Sequence, residues 1–185
     1  MEQKHKSVSP FSNENRNLYV VEHLTGAMFE LLEEKNFAQI SISELCDRAG
    51  VGRTSFYRNF TGKEDIVRRY LKTILSRWYN SHFNSSDDST EREIVLSLFR
   101  HIEANLNMYE LLNKRHLIYL LKDILLELSG FDCSKTMLES YASAYVAYTL
   151  FGFVEVWFMR GMQDSIDDLV ALIPDSSKDA GNPPK

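Results

Sequence analysis

Residues 37–66 read FAQISISELCDRAGVGRTSFYRNFTGKEDI, and the fold follows from how this stretch must arrange its apolar side chains. Ser41-Ile-Ser-Glu44 opens a helix, because the Ser41 hydroxyl can accept from the backbone at position 44 while Glu44 reaches back. Gly50 stops that helix. Gly52 caps a second short one, Arg53 to Asn59, so two helices flank the turn Gly50-Val51-Gly52 with Leu45, Ala49, Val51, Phe56 and Phe60 as the apolar positions. This is the pattern of a helix-turn-helix. At 100° per residue Phe56 and Phe60 point together into a core, which turns Thr54, Ser55, Tyr57 and Arg58 outward and leaves Arg53 at the helix entrance. These side chains suit nucleic acid: Arg bonds guanine bidentately, Thr and Ser reach phosphates or a thymine methyl, and Tyr reaches a backbone oxygen. Lys63, at the entrance of the next helix, adds a cation beside amides that attract phosphate.

Outward from this motif, punctuation is sparse. The four prolines lie at 10, 174, 183 and 184, and there are only eight glycines, so the intervening chain reads as helix after helix. A first helix is predicted from about Asn13 to Lys35 on the stripe Val20, Leu24, Ala27, Met28 and Leu31, with Asn36 as its left-handed cap. A fourth runs from Lys63 to about Phe83 and ends at a polar break, Asn84 to Ser89. Thr90-Glu-Arg-Glu93 is a second capping box, opening a helix striped with Val95, Leu98, Phe99, Ile102 and Leu106. After a looser segment, Arg115 to Ser129 is helical and Gly130 ends it. Ser134 caps a long helix to about Gly161, and Ser165-Ile-Asp-Asp168 starts the last, which Pro174 closes. With no strand-like alternation and no hairpin turn, the fold class is all-α. Four segments are expected: a disordered tail (1–12), a helix-turn-helix domain with its connecting helix (13–83), a helical effector-binding and dimerisation domain (84–174), and a second disordered tail (175–185).

Composition bounds the function. The 185 residues are 44% hydrophobic and carry a net charge of −5, which describes a globular chain with no overall attraction to polyanions. The distribution is uneven: 12 basic and 10 acidic residues precede position 81, and 9 basic and 16 acidic follow it. Between Arg48 and Arg77 lie eight basic residues and only two acidic ones, the charge pattern of a DNA-facing surface. Two cysteines, Cys46 and Cys133, are too few for a disulfide framework or metal cage, and no apolar segment follows the N-terminal charges, so a cytoplasmic protein without metal or cofactor is expected.

Residues 37–66 resemble the DNA-binding domain of TetR-type bacterial transcription regulators. The serine cap, Ala49-Gly50-Val51, Tyr57, Phe60 and Lys63 fall at the family spacing. The resemblance implies DNA-contact roles for Ser41, Arg53, Thr54, Ser55, Tyr57, Arg58 and Lys63. Departures are Asn36 in place of the family's Gly, Cys46 in place of Ala, Gly52 and Gly62 in place of Ser or Asn caps, and Asn59 in place of an aromatic residue. GFVEVWFMRGMQDSIDDLVALI (152–173) resembles a subgroup that includes regulators of dihydroxyacetone kinase operons.

Tyr141 to Met159, YASAYVAYTLFGFVEVWFM, has one charge, Glu155, in nineteen residues. That nearly meets the length of a membrane span, but Glu155 and a face of tyrosines oppose the membrane reading. A helix apolar all round must be covered by protein, and a second copy supplies the cover. By resemblance the last two helices pair between subunits. The interface candidates are Phe151, Val154, Glu155, Phe158, Met159, Met162, Leu169 and Leu172. The family also places an effector pocket in the C-terminal domain, and Ile102, Leu106, Tyr109, Leu117, Leu121, Tyr145, Tyr148 and Thr149 are the candidate lining.

Enzymatic readings find little support: there is no Cys/His cluster, no two Glu-x-x-His pairs on helices as a di-iron bundle needs, no nucleophile elbow and no phosphate-binding loop, and the five histidines are scattered. The sequence therefore points to a homodimeric regulator, a repressor released from a pseudo-palindromic double-stranded operator by a small-molecule effector. The alternative is an activator or coactivator working through a protein partner.

Overall fold

The computed structural model describes residues 13–83 and 90–173. The expected tails, the polar break at 84–89 and Pro174 lie outside the described residues. The chain divides into two compact units, residues 1–70 and 71–185, and all regular structure among the described residues is helical.

The first unit holds α1 (Asn13–Glu34), a 3₁₀ turn (Phe37–Gln39), α2 (Ile42–Ala49), α3 (Arg53–Asn59) and the start of α4 (Lys63–Phe83). Leu24, Ala27, Met28 and Leu31 of α1 are buried, as their spacing requires, while Val20 is half-buried. Leu45 of α2, Phe56 of α3 and Ile66 and Val67 of α4 complete the core. Asn36 differs from expectation: its backbone is extended, φ −68°, and it starts the 3₁₀ turn, its own N–H donating to Gln39 Oε1. The left-handed residue is Gly50, φ 63°, closing α2. A side chain there would meet open space but would force a conformation that L-residues disfavour.

The second unit contains the rest of α4, then α5 (Glu91–Ala104), α6 (Leu106–Lys114), α7 (Leu120–Leu128), α8 (Met137–Met159) and α9 (Ile166–Ala171). Phe99 meets Trp157 edge to face at 5.2 Å, and the Trp157 indole N–H donates to the Asp164 carbonyl. Arg92 Nε donates to the Ile173 carbonyl and fixes the end of α9 against α5.

Two boundaries moved from the sequence reading. The looser segment after Leu106 is α6, and the helix predicted from Arg115 starts later. His116 takes a left-handed backbone, φ 58°, and the Leu117 N–H closes α6 on the Leu112 carbonyl. The cap of α8 is Thr136 rather than Ser134, because only Thr136 has a glutamate three residues on, and Thr136 and Glu139 bond reciprocally. The Ser134 N–H is instead taken by Asp132 Oδ1.

Candidate nucleic-acid interface

α3 owes its orientation to two aromatic rings. Phe56 is fully buried and Phe60 nearly so, their centroids 6.0 Å apart, and a helix of two turns has only one other side. Thr54, Tyr57 and Arg58 occupy it, all exposed, with Tyr57 at 61% of its free surface. Ser55 is half-buried at the edge, and its carbonyl accepts from Asn59 Nδ2. At the entrance, Arg53 is exposed and donates to Ser43 Oγ at 2.5 Å. Ser43 was missed in the sequence; its place one turn before Asp47 on α2 marks it only once α3 is packed alongside. Ser41 caps α2, its hydroxyl accepting from the Glu44 N–H at 3.1 Å.

Most of the basic residues that crowd this part of the sequence are already engaged within the chain. Arg48 grips Glu34 with two nitrogens, at 2.8 and 3.0 Å, and also meets Glu30. Its hydrogen bonds hold the Glu34 carboxyl below its ordinary value and lift the guanidinium above its own. Arg68 pairs with Glu64 and Arg69 with Asp65, each at 3.1 Å; in the second unit Lys72 pairs with Glu127. Burial would raise the Asp65 carboxyl, but the Thr61 N–H and Arg69 outweigh it and leave it low. Among the described residues, neither Arg53 nor Arg58 has a carboxylate within ion-pair distance. The outward charge of α3 is thus uncompensated.

Lys63 is placed differently from its expected phosphate-facing role. Its ammonium donates to the carbonyls of Phe37 (2.6 Å), Ala38 (3.3 Å) and Ile40 (2.7 Å), and it sits 4.5 Å over the Phe37 ring. Three donors meet three carbonyls. Burial pushes its pKa down. Lys63 is a clasp holding the 3₁₀ turn to the start of α4, a role without a marker in the sequence because the carbonyls of an irregular segment carry no residue code.

Residues 24–70 match the family model described as bacterial regulatory proteins, tetR family. The match lies within the N-terminal unit and spans α2, α3 and the turn between them. The HTH-type transcriptional regulator EthR of Mycolicibacterium smegmatis (strain ATCC 700084 / mc(2)155) is 32% identical over 79 residues, 43% of this chain and 36% of its own length; the chain therefore spans about a third of that curated relative. Among solved structures the chain is similar to the dihydroxyacetone kinase operon activator DhaS, with a TM-score of 0.47 and 17% identity over 83% of this chain and 91% of that one. It is also similar to the fatty acid degradation regulator FadR from Bacillus halodurans, with a TM-score of 0.45 and 20% identity over 82% and 90%.

In the second unit the expected effector residues scatter. Ile102, Tyr109, Leu117 and Leu121 are buried core, Leu106 and Thr149 are half-buried, and Tyr145 and Tyr148 lie on the outside, 62% and 48% exposed. None of them lines an apolar pocket of about 320 Å³ walled by Trp78, Tyr79, Ile94, Leu125, Leu128, Ser129, Ala142, Ser143, Val146 and Leu150, whereas Tyr148 and Thr149 border a second apolar groove of about 430 Å³ with Gly152, Phe153, Val156, Leu169 and Leu172. The expected interface residues also divide. Phe151, Val154, Phe158 and Leu169 turn inward, Glu155 and Met162 are half-buried, and Met159 and Leu172 are exposed.

Replacing Lys63 by Ala should lower unfolding free energy by about 1–3 kcal/mol, because three carbonyls lose a shared donor. Arg58→Ala should stay within about 0.5 kcal/mol of the parent. Urea melts of the two variants check the contrast; equal losses would contradict the division between clasp and outward residue.

Proposed function

We propose that this protein is a DNA-binding transcription regulator that works as a homodimer on a pseudo-palindromic operator. The observation that carries the reading is the two-sided character of α3: Phe56 inside, and Thr54, Tyr57 and Arg58 outside with no ion pair to hold Arg58 back. The tetR-family match over residues 24–70 supports it. The DNA-facing set is Thr54, Tyr57 and Arg58, with Arg53 and Ser41 at the two helix entrances and Ser55 at the rim. Lys63 supports them from behind by holding the start of α4. The protein works in the cytoplasm.

A dimer follows from the geometry of reading. Two recognition helices meet successive faces of the major groove about 34–36 Å apart, and a two-fold axis sets that distance. The second copy has a surface to meet. Tyr141, Tyr145, Tyr148, Gly152, Val156 and Met159 recur along α8 at steps of three and four, five of the six exposed, and Leu172 lies exposed just beyond α9. An apolar groove of about 430 Å³ runs between the two helices, over Gly152, with Leu169 in its floor. α8 is the one helix among the described residues long and apolar enough to cross a membrane. Its outer stripe is narrow and flanked by an inward face of Ala147, Leu150, Val154 and Trp157, which suits a paired helix. The interface is assigned to the outer stripe rather than to Phe158.

The reading extends to repression relieved by a small molecule. The pocket among α4, α5, α7 and α8 has no charged side chain in its lining, so it favours a compact, uncharged, mainly apolar effector, and Trp78 and Tyr79 of α4 form part of its wall.

The combined substitution Tyr57→Ala, Arg58→Ala should abolish operator retention in a gel-shift assay with helical circular dichroism unchanged. Parent affinity should fall by about 10³-fold between 50 and 200 mM salt. Retained binding by the variant would overturn the assigned surface. For the dimer, Val156→Glu should give a folded monomer by light scattering, whereas Phe158→Glu should lose helical signal, because its ring is 5% exposed. A Val156→Glu protein that remains dimeric removes the outer stripe from the interface.

A further inference from the structure

We infer that the cleft between the second half of α4 and α5 is a binding site for an oxyanion, the carboxylate or phosphate group of a small molecule. Two helices packed side by side ordinarily face each other with apolar residues at steps of three and four. Leu75 and Trp78 of α4 and Val95, Leu98 and Phe99 of α5 are buried in this way, and beside them Arg77, Ser81 and His82 on α4 and Ser97, Arg100 and His101 on α5 border a cleft of about 550 Å³, with both arginines exposed. Among the described residues its lining holds two guanidiniums, two imidazoles and no carboxylate. This is the reverse of its surroundings, since residues 71–185 hold 16 acidic and 11 basic residues. Among the described residues, neither Arg77 nor Arg100 makes an ion pair or a hydrogen bond. Arg100 also borders a neighbouring groove with Glu103, Asp164 and Asp167, but Asp164 is held by Arg160.

Two guanidiniums that form no ion pair among the described residues repel one another across the cleft, and an anion seated between them relieves that repulsion. Guanidinium is the group suited to it, because its fork matches two oxygens of a carboxylate or phosphate at once. Burial, and then the neighbouring His82, hold the His101 imidazole below the ordinary histidine value. The groups around it are His82 and Arg77 from α4, Arg100 from its own helix, and Tyr109 from α6, whose hydroxyl lies 3.1 Å from His101 Nε2. The Trp78 ring, 6.3 Å from that of His101, gives the cleft an apolar wall for the body of the molecule that bears the charge. An anion there favours the imidazolium, so it raises the His101 pKa and binds more tightly as pH falls toward that value. Trp78 also lines the apolar pocket, so the two sites share a wall but differ in ligand chemistry.

The test needs no DNA. The full chain is titrated with sodium sulfate and, separately, with sodium benzoate, at ionic strength held constant with chloride, while the histidine ring resonances are followed by NMR across pH. The expected result is a saturable shift of the His101 signals, a rise of about one pH unit in its midpoint on saturation, and affinity weakened at least about tenfold in Arg77→Gln, Arg100→Gln. Arg77→Lys, which keeps the charge, should retain part of the binding. Preference for sulfate assigns a phosphate-bearing ligand and preference for benzoate a carboxylate. A response that never saturates, or one the same in parent and double variant, overturns the proposal.

Discussion

The burial of Phe56 is the constraint from which the reading surface follows. A helix of two turns cannot hide one aromatic ring and a second four residues later without committing its remaining face to solvent. Burying each ring contributes about 1.5–3 kcal/mol, well above what any single polar group on α3 contributes to the fold. The packing therefore decides the orientation, and Thr54, Tyr57 and Arg58 are exposed as its consequence. Gly50 sets the angle of entry by ending α2 with a left-handed residue, and the Lys63 clasp fixes where the next helix begins.

Charge acts within this frame in two ways. Arg48, Arg68 and Arg69 are bound to carboxylates of the same unit and neutralise them. Such exposed pairs contribute little to stability, typically below about 1 kcal/mol each, but they take these cations out of the field a polyanion would meet. In the first unit, what remains outward of the run is Arg53 and Arg58 on α3. A run of basic residues in a sequence overstates the charge available to DNA, and the structure selects Arg58 and Arg53 from it.

Legibility in the sequence tracked the range of the interaction. The helices around Gly50-Val51-Gly52, the Ser41 and Thr90 caps and the burial of Leu24, Met28 and Leu31 depend on neighbours within a turn, and those were readable. The long apolar run of α8 announced that something must cover it, yet which side faces its own unit depends on Phe99 meeting Trp157, far away in sequence. Phe151, Val154 and Phe158, expected at the interface, therefore turn inward, and Tyr145 and Tyr148, expected inside, turn outward. His116 broke the helix predicted from Arg115 because a left-handed histidine has no marker in the sequence. The basic stripes of α4 and α5 were in plain view as residues, but only their juxtaposition turns them into a cleft.

The central claim is that α3 lies in the major groove and that a second copy fixes where its counterpart lands. Selection of bound DNA from a random pool by the intact protein tests both at once. The account predicts an enriched consensus of two inverted half-sites, centred about 10 base pairs apart or a whole-turn multiple of that. A pool that stays unenriched, or a consensus with a single unrepeated half-site, would contradict it.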